Sequence, residues 1–331
     1  MIVTRTPFRV SFFGGGTDYP AWYRERGGAV LATTIDKYCY ITCRYLPQFF
    51  EHKHRIVYSK IENVREIAQI EHPSVRAVLG WRGVERGLEI HHDGDLPARS
   101  GLGSSSSFTV GLLHALSALE GRHITKRELA AQAIHVEQEV IREVVGSQDQ
   151  VSAAHGGFNR IEFRPDESFQ VEPIVLPKAR LEELQASLML CFTGLSRNAP
   201  EIAKSKIDNF SSREAELGAM QAMVDEAIGV LRDPAKPIAD FGRLLDASWQ
   251  QKRRLSDKVS TPLIDDLYVR ACKRGAVGGK ILGAGGGGFL LLFAEPGAQA
   301  AIREELSGLV HVPMRFESEG SKVVLYQPSG L

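Results

Sequence analysis

Residues 101–107, with the sequence GLGSSSS, have the composition of a loop that binds phosphate groups. Glycine lets the backbone approach a polyphosphate closely, and the amide groups at the N-terminus of a following helix favour an anion. The segment lacks the GKS or GKT ending of a P-loop and the third glycine of a dinucleotide fingerprint, so a flexible loop that caps a helix is the alternative interpretation. The predicted phosphate-binding residues are Gly101, Leu102, Gly103, Ser104, Ser105, Ser106 and Ser107.

Two carboxylates in the segment VEQEVIREVVGSQDQ form a second candidate group. Glu137 falls on a predicted helix and Asp149 lies just beyond its end, so both can enter one site. In phosphoryl transfer, one carboxylate suits a magnesium ligand, while the other can orient the attacking hydroxyl and accept its proton. The alternative is that Glu137, Glu139 and Glu143 form the solvated face of an amphipathic helix.

A third segment, LGAGGGGF at residues 282–289, satisfies the pattern GxGxxG. A dinucleotide site requires a helix after this pattern, whereas the β-prone run FLLLF follows directly here. We therefore reject that interpretation and predict a glycine loop between two strands, which lets the C-terminal half approach a loop or ligand of the N-terminal half closely. The predicted supporting residues are Gly283, Gly285, Gly286 and Gly287.

Hydrophobic periodicity indicates the elements that must position these groups. A helix begins in the serine run, and a second begins near Thr125, where TKRE has the form of a capping box, and ends before Gly146. We place a domain boundary near Pro177, which gives domains at residues 1–177 and 178–331. Strands are predicted at 4–13, 29–46, 158–177 and 187–194, and helical patterns at 178–186, 199–231 and 238–256.

The composition, with 43% apolar and 24% charged residues, is typical of a globular protein. The length of 331 residues exceeds that of one ordinary domain, so we predict two domains. Forty basic residues balance forty acidic ones, which gives no reason to expect nucleic-acid or membrane binding. The four scattered cysteines contain no CxxC pair and favour a reducing compartment. The N-terminus lacks the pattern of a secretory signal, and the longest apolar run is too short to span a bilayer, so we expect a cytoplasmic protein.

Four short motifs occur in an order that resembles the galactokinase, homoserine kinase, mevalonate kinase and phosphomevalonate kinase (GHMP kinase) superfamily. They are PFR near the N-terminus, PxxxGLGSSSS, the GxxDQ aspartate after a helix, and the late GAGGGG loop. Together they extend over almost the whole chain. The resemblance implies an α+β fold with an N-terminal α/β domain and a C-terminal ferredoxin-like domain, and it implies ATP and Mg²⁺ as cofactors bound between them.

The resemblance also implies roles for individual residues. It places a magnesium-ligating hydroxyl at Ser105 and the partnering carboxylate at Glu137. Asp149 takes the place of the catalytic aspartate. Arg9 aligns with a basic residue that is expected to stabilise the charged form of Asp149 and the charge on the moving phosphoryl group, as a fixed cation next to a carboxylate can.

Within the superfamily, RTPFRVSFFGGGTDYPAWY followed by GGAVLATTIDKYCYI resembles the D-glycero-D-manno-heptose 7-phosphate kinases. These enzymes phosphorylate the anomeric hydroxyl and give the 1,7-bisphosphate for nucleotide-activated heptose synthesis. Galactokinases carry a Glu-His pair where this chain has Gly15 and Gly16, so there is room for a longer sugar. Asp18 matches the sugar-binding aspartate of the family, and its alternative interpretation is a turn residue before Tyr19 and Pro20.

The cations that hold the phosphate of such a substrate are not identified by the motifs, and Arg197, Lys252 and Arg253 are the candidates. The alternative is that these long side chains lie in solvent or over apolar neighbours. We expect a small-molecule sugar phosphate as the partner, and a homodimer is left open. The alternative functions are another sugar 1-kinase, such as a fucokinase, and a nucleotide- or sugar-binding member without catalysis.

Overall fold

The computed structural model describes residues 1–98, 100–195 and 199–328, and these form mixed strands and helices. The strands are β1 (Ile2–Phe13), β2 (Gly28–Tyr45), β3 (His54–Val57), β4 (Ile61–Val64), β5 (Leu88–Gly94), β6 (Phe158–Phe163), β7 (Phe169–Pro173), β8 (Leu188–Phe192), β9 (Gly278–Ile281), β10 (Phe289–Phe293), β11 (Val310–Val312), β12 (Phe316–Glu317) and β13 (Lys322–Tyr326). The α-helices are α1 (Pro20–Arg26), α2 (Pro73–Trp81), α3 (Ser104–Leu119), α4 (Lys126–His135), α5 (Gln148–His155), α6 (Lys178–Ala186), α7 (Ala199–Ile207), α8 (Glu214–Arg232), α9 (Ala239–Arg254), α10 (Pro262–Lys273) and α11 (Pro296–Glu305). Short 3₁₀ turns lie at Ile67–Gln69 and Phe210–Ser212, and a π-helical turn lies at Val136–Val140.

A nine-stranded sheet forms the N-terminal part of the molecule, with the central order β13-β1-β2-β5-β3-β4. Strand β2 is rich in β-branched and aromatic residues and is long enough to pair with β1 along its length, with β6 at its start and with β5 at its end. The described pairs are antiparallel except for β3 with β5. Helix α3 packs on β1 and β2, which brings its N-terminus against the strand that carries Arg9.

A four-stranded antiparallel sheet of order β11-β8-β10-β9 forms the second part. Helices α7 to α10 connect β8 to β9, and α11 connects β10 to β11, which is a β-α-β-β-α-β succession of ferredoxin-like type with an enlarged first connection. The predicted α+β fold is therefore confirmed. The predicted order of strand, glycine loop and strand is also confirmed, because β9 and β10 flank the glycine-rich segment.

The last two strands leave the second sheet and return to the first. Strand β12 pairs with β2, and β13 pairs with β1. Phe241 on α9 also makes edge-to-face contacts with Phe12 and Phe13 of β1, at centroid distances of 5.4 and 5.1 Å. The C-terminal segment thus completes the sheet and core of the N-terminal one, and the division at Pro177 stays a prediction.

Two predicted helices differ from the observed ones at their ends. The capping box at Thr125 is confirmed, but α4 ends at His135 and continues only as the π-helical turn. The helical pattern at 199–231 is divided into α7, a 3₁₀ turn and α8, and at this break the Oγ of Ser212 donates to the carbonyl of Asn209, a local hydrogen bond that competes with a continuous helix. Among the described residues, no helix combines the length and apolar character that crossing a membrane requires.

Candidate active site

A cavity of about 260 Å³ lies where the predicted phosphate loop, strand β1 and the glycine loop meet. The phosphate loop contributes Gly101 and Gly103 to its wall, together with the first turn of α3. Gly103 is the N-cap of α3 and has a φ of 76°, a left-handed conformation that glycine adopts without a Cβ penalty. The N-terminal end of α3 therefore faces the cavity, where its dipole favours a phosphate group.

Arg9 and Asp149 form a bidentate ion pair in the wall of this cavity. The Nε of Arg9 donates to Oδ1 of Asp149 at 2.7 Å, and its Nη2 donates to Oδ2 at 2.8 Å. The Nη1 of Arg9 donates to the carbonyl of Gly101 at 2.7 Å, which ties the pair to the phosphate loop. The Arg9 side chain is buried, whereas 24% of the Asp149 side chain is exposed, so the carboxylate can accept a further hydrogen bond from a ligand.

Glu137 lies on the π-helical turn and is fully buried. Its Oε2 accepts a hydrogen bond from the Oγ of Ser106 at 2.8 Å and another from the side-chain amide of Gln150. Its Oε1 is buried with no hydrogen-bond partner in the described structure. Burial raises the pKa of Glu137 to about 7 although these hydrogen bonds oppose the shift. Ser105 and Ser106 line the cavity, whereas Glu137 does not, and the serine that bonds Glu137 is Ser106.

Asp18 is held rigidly on the wall of the same cavity. The backbone N–H of Gly16 donates to its Oδ1 at 2.9 Å, and the side-chain amide of Gln148 donates to its Oδ2 at 2.9 Å. A Cβ on Gly146 would lie 2.0 Å from Oδ2, so glycine is required at that position. Burial raises the pKa of Asp18, while the N–H of Gly16 partly opposes the shift. Asp18 and Asp149 thus present two carboxylates to one small cavity.

The glycine loop packs directly against the phosphate loop. A Cβ on Gly283 would lie 2.6 Å from the Cα of Gly101, and a Cβ on Gly101 would lie 2.8 Å from the carbonyl oxygen of Leu282. The N–H of Phe289 also donates to the carbonyl of Ser100 at 3.2 Å. The absence of side chains at both positions lets two backbones meet, and this contact joins the second sheet to the phosphate loop.

The change Gly283→Ala is expected to reduce kcat/KM for ATP by about 10- to 100-fold, because the new methyl group must push the phosphate loop away from its position. Gly121→Ala is the matched control: Gly121 has a φ of 70°, close to the 66° of Gly283, but a Cβ there meets no atom of the described residues within 4 Å. Both variants carry the cost of left-handed backbone, so only the loop contact differs. Equal kinetics of the two variants, measured by ADP release over a range of ATP concentrations, would contradict the supporting role.

Three lysines also line the cavity: Lys206, Lys252 and Lys280. Lys252 is among the candidates from the sequence, whereas Lys206 and Lys280 are not. Burial lowers the pKa of Lys206 to about 8 and that of Lys280 to about 7, and it lowers the pKa of Lys252 well below its ordinary value. A sequence signal exists for two of them. Lys206 lies on α7, four residues after the buried Ile202 and four before the buried Phe210 of the following 3₁₀ turn, and Lys280 is the charged residue of the buried strand β9.

The remaining predicted residues divide into those that reach the cavity and those that do not. Gly15, Gly16 and Gly283 line it. Three glycines of the loop do not line the cavity: Gly285, Gly286 and Gly287. The N–H of Gly286 donates to the carbonyl of Val259, Gly285 packs on the backbone of Val259, and Gly287 packs on the backbone of Leu195. Leu102 and Ser107 also lie behind the cavity wall. The Leu102 side chain is buried in the core, and the Oγ of Ser107 donates to the carbonyl of Pro7 at 2.9 Å.

The predicted phosphate-binding cations have different positions. Arg197 lies outside the described residues. Arg253 is wrongly placed for the cavity, because its Nη2 donates to Asp265 at 2.8 Å on a separate surface depression. Lys252 does line the cavity and donates to the carbonyls of Ile281 and Gly283. Adjacent residues on a helix point about 100° apart, so Lys252 and Arg253 cannot face the same site.

The site has the form of a phosphotransferase site, because a helix N-terminus preceded by a glycine-rich loop faces a cavity that also contains a paired arginine and carboxylate. The comparisons with known proteins agree with this class. The sequence models of the GHMP kinase N-terminal and C-terminal domains match residues 63–157 and 234–311. The chain is 31% identical to a D-glycero-alpha-D-manno-heptose 7-phosphate kinase of Campylobacter jejuni, over 97% of this chain and 98% of the relative. It is 28% identical to a galactokinase of Pyrococcus furiosus over 87% of each. The chain therefore belongs to the GHMP kinase family, as a sugar kinase that uses ATP as its phosphate donor.

Solved structures share the fold over nearly the full chain. The structure of a D-glycero-D-manno-heptose 1-phosphate kinase from Bacteroides thetaiotaomicron matches with a TM-score of 0.78 at 22% identity and covers 98% of both chains. A Lactococcus lactis galactokinase complexed with galactose matches with a TM-score of 0.72 at 18% identity, over 97% of this chain and 94% of the galactokinase. At these identities the likeness supports the fold.

Proposed function

We propose that this sugar kinase transfers the γ-phosphoryl group of ATP to the anomeric hydroxyl of D-glycero-D-manno-heptose 7-phosphate and forms the 1,7-bisphosphate. The observation that carries the proposal is the similarity to the Campylobacter jejuni heptose 7-phosphate kinase along 97% of the chain. The cavity adds a second argument. Among the described residues, a Cβ on Gly15 would meet only Ser11 and Gln148, at 3.7 and 3.8 Å, so this side of the wall leaves room for a long sugar.

In this proposal, the residues of the cavity divide the work of binding and proton transfer. The first turn of α3 receives the phosphates of ATP, and Asp18 accepts hydrogen bonds from ring hydroxyls of the sugar. Asp149 orients the anomeric hydroxyl and takes its proton as the bond to phosphorus forms. Arg9 fixes Asp149 through both carboxylate oxygens and places positive charge beside the phosphate loop.

The residues around Glu137 fit the Mg²⁺ ion that the family resemblance implies. Mg²⁺ prefers oxygen ligands, and the buried, unpartnered Oε1 of Glu137 is such an oxygen. No cluster of three His, Cys, Asp or Glu side chains that could hold a metal occurs in the part of the chain that the structure describes. The proposed protein ligands are therefore Glu137 with Ser105 or Ser106, and phosphate oxygens and water complete the shell. The ion would neutralise phosphate charge when bound.

Measuring ADP release with a panel of sugars tests the proposal. The panel contains D-glycero-D-manno-heptose 7-phosphate, the corresponding 1-phosphate, unphosphorylated heptose, fucose and galactose. We expect the 7-phosphate to give the highest kcat/KM, with phosphorus NMR of the product showing a new anomeric phosphate. Turnover of the 1-phosphate, whose anomeric hydroxyl is already phosphorylated, would show that another hydroxyl of the sugar accepts the phosphoryl group. Turnover of fucose or galactose alone would reassign the substrate, and nucleotide binding without any ADP release would favour a non-catalytic member.

A further inference from the structure

Three ammonium groups converge on the cavity from three different elements. Lys206 lies on α7, Lys252 on α9 and Lys280 on β9, and each residue is at most 5% exposed. Buried charges in proteins are normally paired, because removing an unpaired ion from water is costly. Arg9 already neutralises Asp149 in the wall. Among the described side chains that line the cavity, Arg9 and the three lysines stand against the carboxylates of Asp18, Glu143 and Asp149, so groups that can carry positive charge outnumber the carboxylates.

The three lysines differ in how much hydrogen-bonding capacity the protein uses. An ammonium group has three donors. The Nζ of Lys252 donates two hydrogen bonds, to the carbonyls of Ile281 and Gly283 at 2.8 and 2.7 Å. The Nζ of Lys280 donates one hydrogen bond, to the carbonyl of Phe12 at 2.7 Å. Within the described residues, the Lys206 side chain makes no hydrogen bond or salt bridge, and its Nζ lies 5.4 Å from the centre of the Tyr19 ring. Lys206 and Lys280 thus retain donors for a ligand.

The positions of Lys252 and Lys206 distinguish the ATP side of the cavity from the sugar side. Lys252 is fixed to the glycine loop, which packs on the phosphate loop, so its charge lies on the ATP side. Lys206 lies over Tyr19, the neighbour of Asp18, and Asp18 is the carboxylate that we assign to the sugar. Lys206 is therefore positioned to meet a substituent of the sugar rather than the triphosphate.

We infer that Lys206, assisted by Lys280, binds the phosphate group that the sugar substrate already carries and selects phosphorylated over unphosphorylated sugars. This inference rests on the proposed function. A dianion in this position would pair with the amino groups of Lys206 and Lys280 and would raise their pKa values, which burial lowers. Charge-assisted hydrogen bonds of this kind are stronger than neutral ones, so they can determine substrate choice. The assignment replaces Arg253, which the structure places on another surface.

The decisive variant is Lys206→Met, which keeps an unbranched side chain of similar reach and removes the charge. A buried uncharged side chain costs less than a buried ammonium, so we expect this variant to fold with an unchanged or higher Tm. Its KM for heptose 7-phosphate should rise by about 10- to 100-fold, while its KM for unphosphorylated heptose changes far less. Lys206→Arg, which keeps the charge, should restore part of the preference. Lys204→Met, on the exposed side of the same helix, is the matched control.

Two readouts separate this inference from the proposed function. Kinetics give the ratio of kcat/KM for heptose 7-phosphate and heptose, and calorimetric titration of heptose 7-phosphate without ATP gives binding independently of turnover. Loss of the preference and of binding in Lys206→Met, but not in Lys204→Met, supports the inference. A wild-type protein without preference for the phosphorylated sugar, or a Lys206→Met variant that keeps the preference, overturns it. Binding of the sugar phosphate without ADP release would contradict the proposed reaction, whereas the assignment of Lys206 and Lys280 to the phosphate of the sugar would still hold.

Discussion

Replacing Asp149 by Asn should lower kcat by about 10³-fold, the largest effect that we expect from a single change in this protein. The amide cannot take a proton from the attacking hydroxyl. It also turns a donor towards Arg9, whose guanidinium has only donors to offer, so one of the two hydrogen bonds at 2.7 and 2.8 Å is lost. The measurement is kcat from ADP release at saturating ATP and sugar phosphate, together with the Tm of each protein.

The surface pair of Arg160 and Asp225 provides the control for this prediction. Its Nε–Oδ1 distance is 3.0 Å, but the Asp225 side chain is 68% exposed and lies outside the cavity. Asp225→Asn breaks a similar ion pair and should leave kcat unchanged within about twofold, because exposed pairs contribute little. If Asp149→Asn folds normally and keeps more than a third of the wild-type kcat, Asp149 is not the base of the reaction.

Much of the fold could be predicted because its signals are local. The capping box at Thr125 and the apolar spacing after the serine run identify α4 and α3, and the glycine loop is recognisable between two β-prone segments. The return of β12 and β13 to the first sheet could not be predicted in this way. Their pairing with β2 and β1 depends on contacts across about 300 residues, which no local pattern encodes.

The candidate site shows the same division between local and long-range information. Arg9, the phosphate loop and Asp149 belong to motifs whose order is visible in the sequence, and the structure brings them together. Whether Ser105 or Ser106 faces Glu137 depends on the rotation of α3, since adjacent helical residues point about 100° apart. Lys206 and Lys280 enter the cavity through the packing of α7 and β9, so their spacing in the sequence carries no sign of a common site.

Replacing Arg9 by Met should lower kcat by about 10²- to 10³-fold, the second large effect. The change removes a fixed cation from the phosphate loop and leaves Asp149 and the carbonyl of Gly101 without their donors. Arg9→Lys should recover only a small part of the loss, because an ammonium cannot reproduce the bidentate fork. Arg24→Met, which breaks the exposed pair with Glu167, is the control and should retain wild-type kcat.

The double variant of Arg9→Met and Asp149→Asn distinguishes a catalytic unit from two independent contributions. If Arg9 acts mainly by fixing Asp149, the second change has little left to remove, and the double variant should lose about as much kcat as Asp149→Asn alone. If Arg9 acts mainly on the phosphoryl group, the two losses should multiply to about 10⁵- to 10⁶-fold. The third contact of Arg9, to the Gly101 carbonyl, favours an intermediate result. A double variant as active as Arg9→Met alone, and more active than Asp149→Asn, would contradict both roles.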